Sequence, residues 1–392
     1  MRIAINADIL ADAHTDAAQY FARMIEALGM VDGVNEYSML SHRDIALQPA
    51  TPSTFQWETV AISAPNERLR TLTWEQRTFA ETAKKADAKL LYTPTFASPA
   101  ITSIPFVVTA PDLVSFALTT YHPSSAQWMY LQLLSQTAKK AAAVVTLSER
   151  TKTDLIRYCN IPMNKITQIA IAPRPQFHEI LDFTARRNIS AKYGLADSFV
   201  LYRGGFDARR NITLLIGAFA AAMNRAHDTR TQLVIVGKLA KIGSSPLYPD
   251  WRQLFHRFGI EGQVVLIDEQ FEELPVLYSL ATAFIYPSHY EGSGLPVIEA
   301  MACGAPIIAS EDPAIQETLG AASIPFTMDP FGEPASKQAI RGLSQALVRI
   351  TQDFALREEF HQRSLARARL STWSQPAAEL SGIFAEAAGM RV

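Results

Sequence analysis

Short apolar segments rich in β-branched residues alternate with longer helical segments along the chain. This alternation predicts parallel sheets covered by helices, because parallel strands are joined by crossover helices and are buried on both faces. Residues 126–143 and 212–226 are predicted helices. Nine segments are predicted strands: RIAIN (2–6), KLLYT (89–93), FVVTA (106–110), AVVTL (143–147), FVLYR (199–203), QLVIVG (232–237), QVVLID (263–268), AFIYPS (283–288) and APIIAS (305–310).

The chain has 392 residues, which is more than one hydrophobic core usually organises, so two domains are expected. The boundary is predicted between about Pro173 and Asp197, where prolines and charges precede the strand at 199–203. We expect two doubly wound α/β domains of similar size with a cleft between them. A last helix is predicted from Trp373 onwards.

Composition excludes several classes of protein. Apolar residues make up 48% and charged residues 19%, which excludes a disordered chain, and the net charge of −2 argues against a general nucleic-acid binder. The two cysteines, Cys159 and Cys303, have no metal-like spacing and fit a reducing cytoplasm. Asp8 and Asp12 come too early for a signal peptide, and no apolar run approaches the roughly 18 residues of a spanning helix. We expect a cytoplasmic protein, and peripheral contact with the inner face of the membrane stays open.

The segment YEGSGLPVIEAMACGAPIIAS, residues 290–310, places a loop and a crossover helix between two predicted strands. Pro296 suits the first turn of a helix and Gly304 suits its left-handed end, which predicts a helix over residues 295–303. The helix is apolar on most sides except at Glu299. A buried carboxylate without a partner costs on the order of several kcal/mol, so Glu299 needs a partner.

The loop before this helix suggests a ligand as that partner. Gly292 and Gly294 let backbone amides approach a ligand closely, and the helix N-terminus favours a phosphate. A phosphate there would bring a nucleotide ribose within reach of Glu299, and Glu291 would face the cleft where ligands of open α/β sheets bind. In the alternative interpretation Glu299 pairs with an Arg or Lys, Glu291 is solvated, and the glycines only form a tight turn.

The segment PSHYEGSGLPVIEAMACGAPIIAS resembles the signature of retaining glycosyltransferases of the GT-B fold, family 4, also called glycosyl transferases group 1. That signature has two glutamates with seven residues between them, and Ser293 stands where Phe is more usual. LYRGGFDARRNITLLIGAF resembles the family's phosphate-side segment, and QLVIVGK and FEELPVLYSLATAFIYPS resemble its next elements. The resemblance implies an acceptor-side Rossmann-like domain over 1–178, a nucleotide-sugar-binding Rossmann-like domain over 179–372, and a helix over 373–392 that returns to the first domain.

The resemblance also implies an activity. Such enzymes move a hexose from a nucleoside-diphosphate sugar, here GDP-mannose or a UDP-hexose, to a hydroxyl of a glycan or glycolipid acceptor in bacterial polysaccharide synthesis. No Asp-x-Asp pair occurs in the chain, so no metal and no cofactor are expected, and arginine would neutralise the leaving diphosphate. The implied catalytic residues are Glu291, Arg210 and Asp112, and the implied donor-binding residues are Gly205, Arg209, Lys238, Gly292, Ser293, Gly294, Leu295 and Glu299.

The N-terminal half departs from the family pattern in two places. Residues 11–24 lack the usual glycines of the loop after the first strand, and Pro111 stands where the family commonly has a His. His14 and His122 are candidates to replace that His. Arg203, at the end of a central strand, must reach the cleft or find an acid.

Two other functions stay open, the first because of these departures and the second because it shares the architecture. One is a catalytically silent subunit that binds a sugar nucleotide on the same fold. The other is a sugar-nucleotide epimerase, although the glutamate pair is a transferase signature.

Overall fold

The structure is a computed structural model that describes residues 1–13, 15–121, 124–327 and 336–389, so His14 and His122 lie outside the described residues. The chain divides into two compact units, Met1–Ile171 with Thr372–Val392, and Ala172–Ser371. The chain passes from the first unit to the second after Ile171 and returns to the first after Ser371, close to the domain limits of 178 and 372 expected from the sequence. Within the described residues, no helix has the length and apolar content needed to cross a bilayer.

The first unit, called unit 1 below, contains a parallel sheet with the strand order β3-β2-β1-β4-β5-β6-β7 among its described residues. Its strands are β1 (Arg2–Asn6), β2 (Glu36–Ser41), β3 (Phe55–Thr59), β4 (Leu90–Thr93), β5 (Phe106–Ala110), β6 (Ala143–Thr146) and β7 (Ile166–Gln168). Its helices are α1 (Asp16–Val31), α2 (Glu67–Thr73), α3 (Phe79–Lys85), α4 (Val114–Ala117), α5 (Ser125–Ala138) and α6 (Glu149–Cys159), with α15 (Ser374–Ala387) from the end of the chain.

Unit 2 (Ala172–Ser371) contains a second parallel sheet with the strand order β10-β9-β8-β11-β12-β13 among its described residues. Its strands are β8 (Phe199–Arg203), β9 (Gln232–Gly237), β10 (Val264–Asp268), β11 (Ala283–Tyr286), β12 (Ile307–Ser310) and β13 (Ser323–Phe326). Its helices are α7 (Phe183–Tyr193), α8 (Ile212–Ala226), α9 (Gln253–Phe258), α10 (Leu274–Leu280), α11 (Leu295–Ala302), α12 (Pro313–Leu319), α13 (Lys337–Gln352) and α14 (Phe354–Ala368).

All nine predicted strands are present, but the sequence reasoning missed four others: β2, β3, β7 and β13. The segments of β2 (EYSMLS) and β3 (FQWET) contain few β-branched residues, β7 has three residues, and β13 contains Pro325 at the edge of its sheet. The helix predicted over 126–143 was too long, because it ends at Ala138 and residues 143–146 pair with β5 instead. Tertiary pairing overrides the helix propensity of the alanines there.

The last helix, α15, packs on unit 1 through aromatic and polar contacts. Phe384 and Tyr92 have ring centroids 5.0 Å apart, and Ser381 Oγ donates a 2.7 Å hydrogen bond to Asp32 Oδ2. Asp32 follows α1 directly and is buried, and its carboxylate also accepts hydrogen bonds from Tyr37 Oη (2.6 Å) and Asn35 Nδ2 (2.7 Å). Burial acts to raise the pKa of Asp32, but these hydrogen bonds outweigh it, so the pKa lies well below its usual range.

Replacing Asp32 with asparagine is expected to lower the free energy of unfolding at pH 7 by about 1.5–3 kcal/mol, because hydrogen bonds to a charged acceptor are lost. Because the pKa of Asp32 is lower in the folded protein than in the unfolded chain, its carboxylate stabilises the folded protein at pH values above the unfolded pKa. The loss of unfolding free energy caused by Asp32→Asn should therefore become smaller as the pH falls below about 4. Urea unfolding at pH 7 and pH 3.5 measures this. Asp44→Asn, at an exposed aspartate of the same unit, is the matched control. A loss from Asp32→Asn that stays constant with pH would contradict the prediction.

Candidate functional site

The candidate site lies in unit 2, at the edge of the sheet where the strand order reverses. The chain builds the sheet outward from β8 to β9 and β10, and then outward on the other side from β11 to β13. Ligands of open α/β sheets bind beyond the carboxyl ends of the strands at such a switch point. The loops after β8 and β11 meet there, since the His289 amide donates a 3.0 Å hydrogen bond to the Arg209 carbonyl.

Arg210 and Glu291 form a buried ion pair between these two loops. Arg210 ends a short 3₁₀ helix after β8, and its Nη1 lies 2.5 Å from Glu291 Oε1. The same nitrogen donates to the Oη of Tyr286, the last residue of β11. Arg210 is 7% exposed and Glu291 is 5% exposed. The structure therefore brings together two of the predicted catalytic residues, which are 81 positions apart in the sequence.

Further charges surround this pair. Arg209 Nε lies 3.1 Å from Asp207 Oδ1, and Arg210 Nε lies 3.7 Å from Asp207 Oδ2. Burial acts to lower the pKa of the Arg210 guanidinium. The carboxylates of Glu291 and Asp207, with the phenol of Tyr286, outweigh burial and raise this pKa, so Arg210 stays charged. A fixed cation is thus held at the switch point.

The turn before α11 has the geometry that the glycines predict. Gly294 precedes the helix with φ +75°, a conformation that side-chain-bearing residues rarely adopt, and Leu295 and Pro296 begin the helix. Gly292 is buried, and the Ser293 carbonyl accepts a 2.8 Å hydrogen bond from Thr318 Oγ1. The helix ends at Ala302, one residue before the predicted end. Its N-terminus directs a positive partial charge towards the loop that carries Glu291.

Glu299 pairs with an arginine of its own unit. Arg174 Nε lies 2.5 Å from Glu299 Oε1, and both side chains are fully buried. The Arg174 guanidinium also lies 4.6 Å from the ring centroid of Phe177 and 5.0 Å from that of Phe271. This ion pair agrees with the alternative interpretation of the sequence, in which Glu299 pairs with an Arg or Lys rather than with a ligand. The predicted contact of Glu299 with a ribose stays a prediction, and it requires a ligand to reach a side chain that is buried here.

Three other residues singled out from the sequence also lie in unit 2. Arg203, at the end of β8, finds an acid, because its Nε lies 2.5 Å from Glu269 Oε1. Lys238 follows β9 directly and is exposed. At Gly205 an added Cβ would lie 2.9 Å from Asp207 Oδ2, so a side chain would crowd this loop. The donor-binding roles of Gly205 and Lys238 stay predictions.

Asp112 belongs to the other unit. It lies in unit 1 after β5, and its Oδ1 accepts a 3.1 Å hydrogen bond from the Val114 amide at the start of α4. This contact gives Asp112 a local structural role at a helix start. Its predicted catalytic role stays a prediction.

Sequence reasoning missed Arg174, Asp207 and Tyr286. Arg174 stands between two prolines, in the stretch that the sequence marked only as a domain boundary. Asp207 lies two residues before Arg209, within the segment that resembles the family's phosphate-side segment. An acidic side chain this close to two arginines was the sequence signal for an ion pair with them. Tyr286 ends a predicted strand, where a polar tip can reach the loops.

A family model described as "Glycosyl transferases group 1" matches residues 185–346. This part of the chain is a glycosyl transferases group 1 domain. It contains the predicted site residues of unit 2, and it confirms the family expected from the glutamate pair. Over 279 residues the chain is 28% identical to the O-antigen chain mannosyltransferase B of Escherichia coli, a match that covers 68% of this chain. The match covers 66% of that protein, so the chain spans just under two thirds of its length.

Solved structures cover nearly the whole chain, including most of both units. The glycosyltransferase WaaG, involved in lipopolysaccharide biosynthesis, has a TM-score of 0.74 at 14% identity and covers 98% of this chain and 99% of its own. Anabaena Alr3699/HepE, solved in complex with UDP-glucose, has a TM-score of 0.71 at 18% identity and covers 97% of this chain and 99% of its own. At such identities the likeness shows the fold, and it confirms the predicted GT-B fold with two Rossmann-like α/β domains.

Proposed function

We propose that this protein is a metal-independent retaining glycosyltransferase that moves a hexose from a nucleoside-diphosphate sugar to a hydroxyl of a glycan or glycolipid. One observation carries the proposal: the buried Arg210–Glu291 pair lies at the switch point of unit 2, beside the N-terminus of α11. A guanidinium next to a helix N-terminus is a site for an anion such as a diphosphate. The carboxylate beside it accepts hydrogen bonds, as the hydroxyls of a sugar require.

The comparisons support the substrate class. One relative is named as an O-antigen chain mannosyltransferase, and one structural neighbour was solved with UDP-glucose. Mannose and glucose are both hexoses, so the two names favour a hexosyl donor and differ in its identity. We therefore propose GDP-mannose or a UDP-hexose as the donor, and a polysaccharide or its glycolipid precursor as the acceptor.

The proposed reaction needs stabilisation of the charge that builds up on the leaving diphosphate. Arg210 would supply a fixed positive charge, and the amides of Gly294 and Leu295 at the start of α11 would supply hydrogen-bond donors. Burial makes these charges more effective than they would be in water. The Arg210 side chain and these backbone amides would in this way replace the divalent metal that many sugar transferases use.

The two glutamates would hold the two ends of the donor. Glu291 would accept hydrogen bonds from hydroxyls of the transferred hexose, and Glu299 from those of the ribose. Arg174 would orient the Glu299 carboxylate, since its Nε lies 2.5 Å from Glu299 Oε1.

A panel of UDP-, GDP- and ADP-sugars is expected to contain one donor that raises the melting temperature of the protein, because a ligand that binds only the folded state stabilises it. With that donor and a glycan acceptor, product analysis by mass spectrometry and NMR should show transfer with the anomeric configuration kept. EDTA should leave the rate unchanged. A rate that falls with EDTA and returns with a divalent cation would contradict the metal-independent mechanism.

Other outcomes separate the alternatives. Donor binding without hydrolysis or transfer would support the catalytically silent subunit, which Pro111 motivates because proline has neither a backbone N–H nor a polar side chain. Conversion of the donor into its epimer would support the epimerase. No stabilisation by any sugar nucleotide would contradict the proposed function.

A further inference from the structure

A turn-forming segment of unit 2 joins β9 to α9. It consists of residues 238–252 and is called the β9 segment below. Ile242 and Trp251 fix it to the hydrophobic core of unit 2, with exposed fractions of 8% and 2%. Between them the chain turns back on itself, since the Gly243 amide donates a 2.9 Å hydrogen bond to the Tyr248 carbonyl. The segment is therefore anchored on both sides of its turn.

The β9 segment packs against the loop after β8, which carries the arginines of the candidate site. The Leu247 carbonyl accepts a 2.8 Å hydrogen bond from the Ala208 amide. The rings of Trp251 and Phe206 meet edge to face, with centroids 5.3 Å apart. Phe206 and Ala208 flank Asp207 in the sequence, so the segment lies directly beside the charged residues of the site.

These contacts place Tyr248, the residue after Leu247, next to that loop. Its side chain packs, partly buried, against the core of unit 2. Burial raises the pKa of the Tyr248 phenol, and the Asp207 carboxylate adds to the rise. Arg209 and Arg210 act to lower the same pKa, so the phenol lies within electrostatic reach of the charges of the site. The net shift is upward, so the hydroxyl keeps its proton at neutral pH and can donate a hydrogen bond.

A lysine of the same segment lies over this tyrosine. Lys241 Nζ is 5.6 Å from the centroid of the Tyr248 ring, within the range of a cation–π contact. Lys241 is exposed to solvent. The β9 segment therefore holds a phenolic hydrogen-bond donor and an ammonium group together.

The charged side chains of the candidate site balance one another. The guanidinium groups of Arg209 and Arg210 form ion pairs with the carboxylates of Asp207 and Glu291. A diphosphate is an anion whose oxygens accept several hydrogen bonds, and this balanced cluster offers it no excess of positive charge. A hydroxyl and an ammonium group from the neighbouring β9 segment would add the donors and the positive charge that the cluster lacks.

We propose that the β9 segment forms part of the diphosphate site, with the Tyr248 hydroxyl donating a hydrogen bond to a phosphate oxygen and Lys241 adding a positive charge beside it. The proposal rests on the proposed function of unit 2 for the identity of its ligand. A hydrogen bond from a hydroxyl to a charged acceptor is stronger than one between neutral groups. In the alternative, the Tyr248 ring only covers the ion pair of Asp207 and Arg209, a role that does not need the hydroxyl.

The test measures binding of inorganic pyrophosphate to the full chain by isothermal titration calorimetry, in buffer without nucleotides, sugars or divalent cations. Tyr248→Phe keeps the ring and its packing and removes only the hydroxyl, so it should raise the Kd about tenfold. Lys241→Gln should raise the Kd about threefold, as expected for an exposed charge. It should also weaken the dependence of the Kd on salt concentration, because salt screens exposed charges.

A second pair of a tyrosine and a lysine provides the matched controls. Lys192 Nζ lies 4.8 Å from the centroid of the Tyr193 ring at the end of α7, where both side chains form hydrogen bonds to Glu273. Tyr193→Phe and Lys192→Gln should leave the Kd for pyrophosphate unchanged. Arg210→Ala should weaken binding more than any of these variants, because it removes the buried guanidinium of the site.

Two results would overturn the proposal: a Kd for Tyr248→Phe within about twofold of wild type, or no binding of pyrophosphate to the wild-type protein. Either result leaves the proposed transfer reaction standing if a sugar nucleotide still stabilises the protein. Conversely, pyrophosphate binding that Tyr248→Phe weakens, in a protein that no sugar nucleotide stabilises, would keep the contact of Tyr248 with the anion and remove the proposed function. Melting temperatures check the fold of each variant, and Lys241→Gln carries the test if Tyr248→Phe does not fold.

Discussion

Replacing Arg210 with alanine is expected to lower kcat/KM for sugar transfer by about a thousandfold, because it removes a preorganised charge beside the proposed leaving diphosphate. The loss should be large because the guanidinium is buried, at 7% exposure, and interacts in a medium of low dielectric constant. Arg210→Lys keeps the charge but loses the planar fork, so its loss should be intermediate. Initial rates with the donor found in the nucleotide-sugar panel measure both effects.

Arg252 provides the matched control for this prediction. It is an exposed arginine of unit 2 that pairs with Asp250, and Arg252→Ala should leave kcat/KM unchanged. Arg210→Ala also leaves the buried Glu291 without its guanidinium, so the melting temperature of each variant is measured and rates are compared well below it. A folded Arg210→Ala protein with kcat/KM within about twofold of wild type would contradict the proposed role of Arg210.

Replacing Arg174 with methionine is expected to lower the free energy of unfolding by about 3–5 kcal/mol. The substitution keeps an unbranched apolar side chain between Phe177 and Phe271 but removes the guanidinium from a fully buried carboxylate. An ionised Glu299 would then be strongly destabilised, and it would be forced towards its neutral form. Urea unfolding at pH 7 measures the loss.

The double variant Arg174→Met/Glu299→Leu tests whether the loss comes from the unbalanced charge. Replacing both partners by apolar groups removes both desolvation costs, so most of the stability should return. The exposed pair Arg252–Asp250 is the comparison, and Arg252→Met should lower the free energy of unfolding far less than Arg174→Met does. Two results would contradict this account of the Arg174–Glu299 pair. One is that Arg174→Met lowers the free energy of unfolding no more than Arg252→Met does. The other is that the double variant is as unstable as Arg174→Met.

The two parallel sheets could be predicted because buried parallel strands have apolar sequences rich in β-branched residues. Strands such as β5 and β9 have long buried segments of this kind. The pattern fails where a strand is stabilised by its neighbours rather than by its own composition. EYSMLS of β2 has no β-branched residue, yet its residues 36–40 pair with β1 on one side and its residues 37–41 pair with β3 on the other. Pairing of that kind depends on residues far away in the sequence, so a local pattern cannot show it.

The candidate site was predictable in part for a similar reason. The positions of Arg210 and Glu291 after two neighbouring strands place them at one edge of the sheet, and the structure joins them. The partner of Glu299 was not predictable, because Arg174 is 125 positions away and lies in a stretch without regular structure. The sequence showed only that a buried acid needs compensation. It left open whether a ligand or a side chain supplies it.

The return of α15 to unit 1 has a consequence for how the protein is made. Domains emerge from the ribosome in order and generally fold as units during synthesis. Unit 1 is interrupted by the whole of unit 2, since Ser374–Ala387 are translated some two hundred residues after β7. The nascent first unit therefore exposes the surface around Tyr92 and Asp32 until α15 has been translated. Chaperone dependence and aggregation during expression should accordingly increase when the contacts of α15 with unit 1 are weakened.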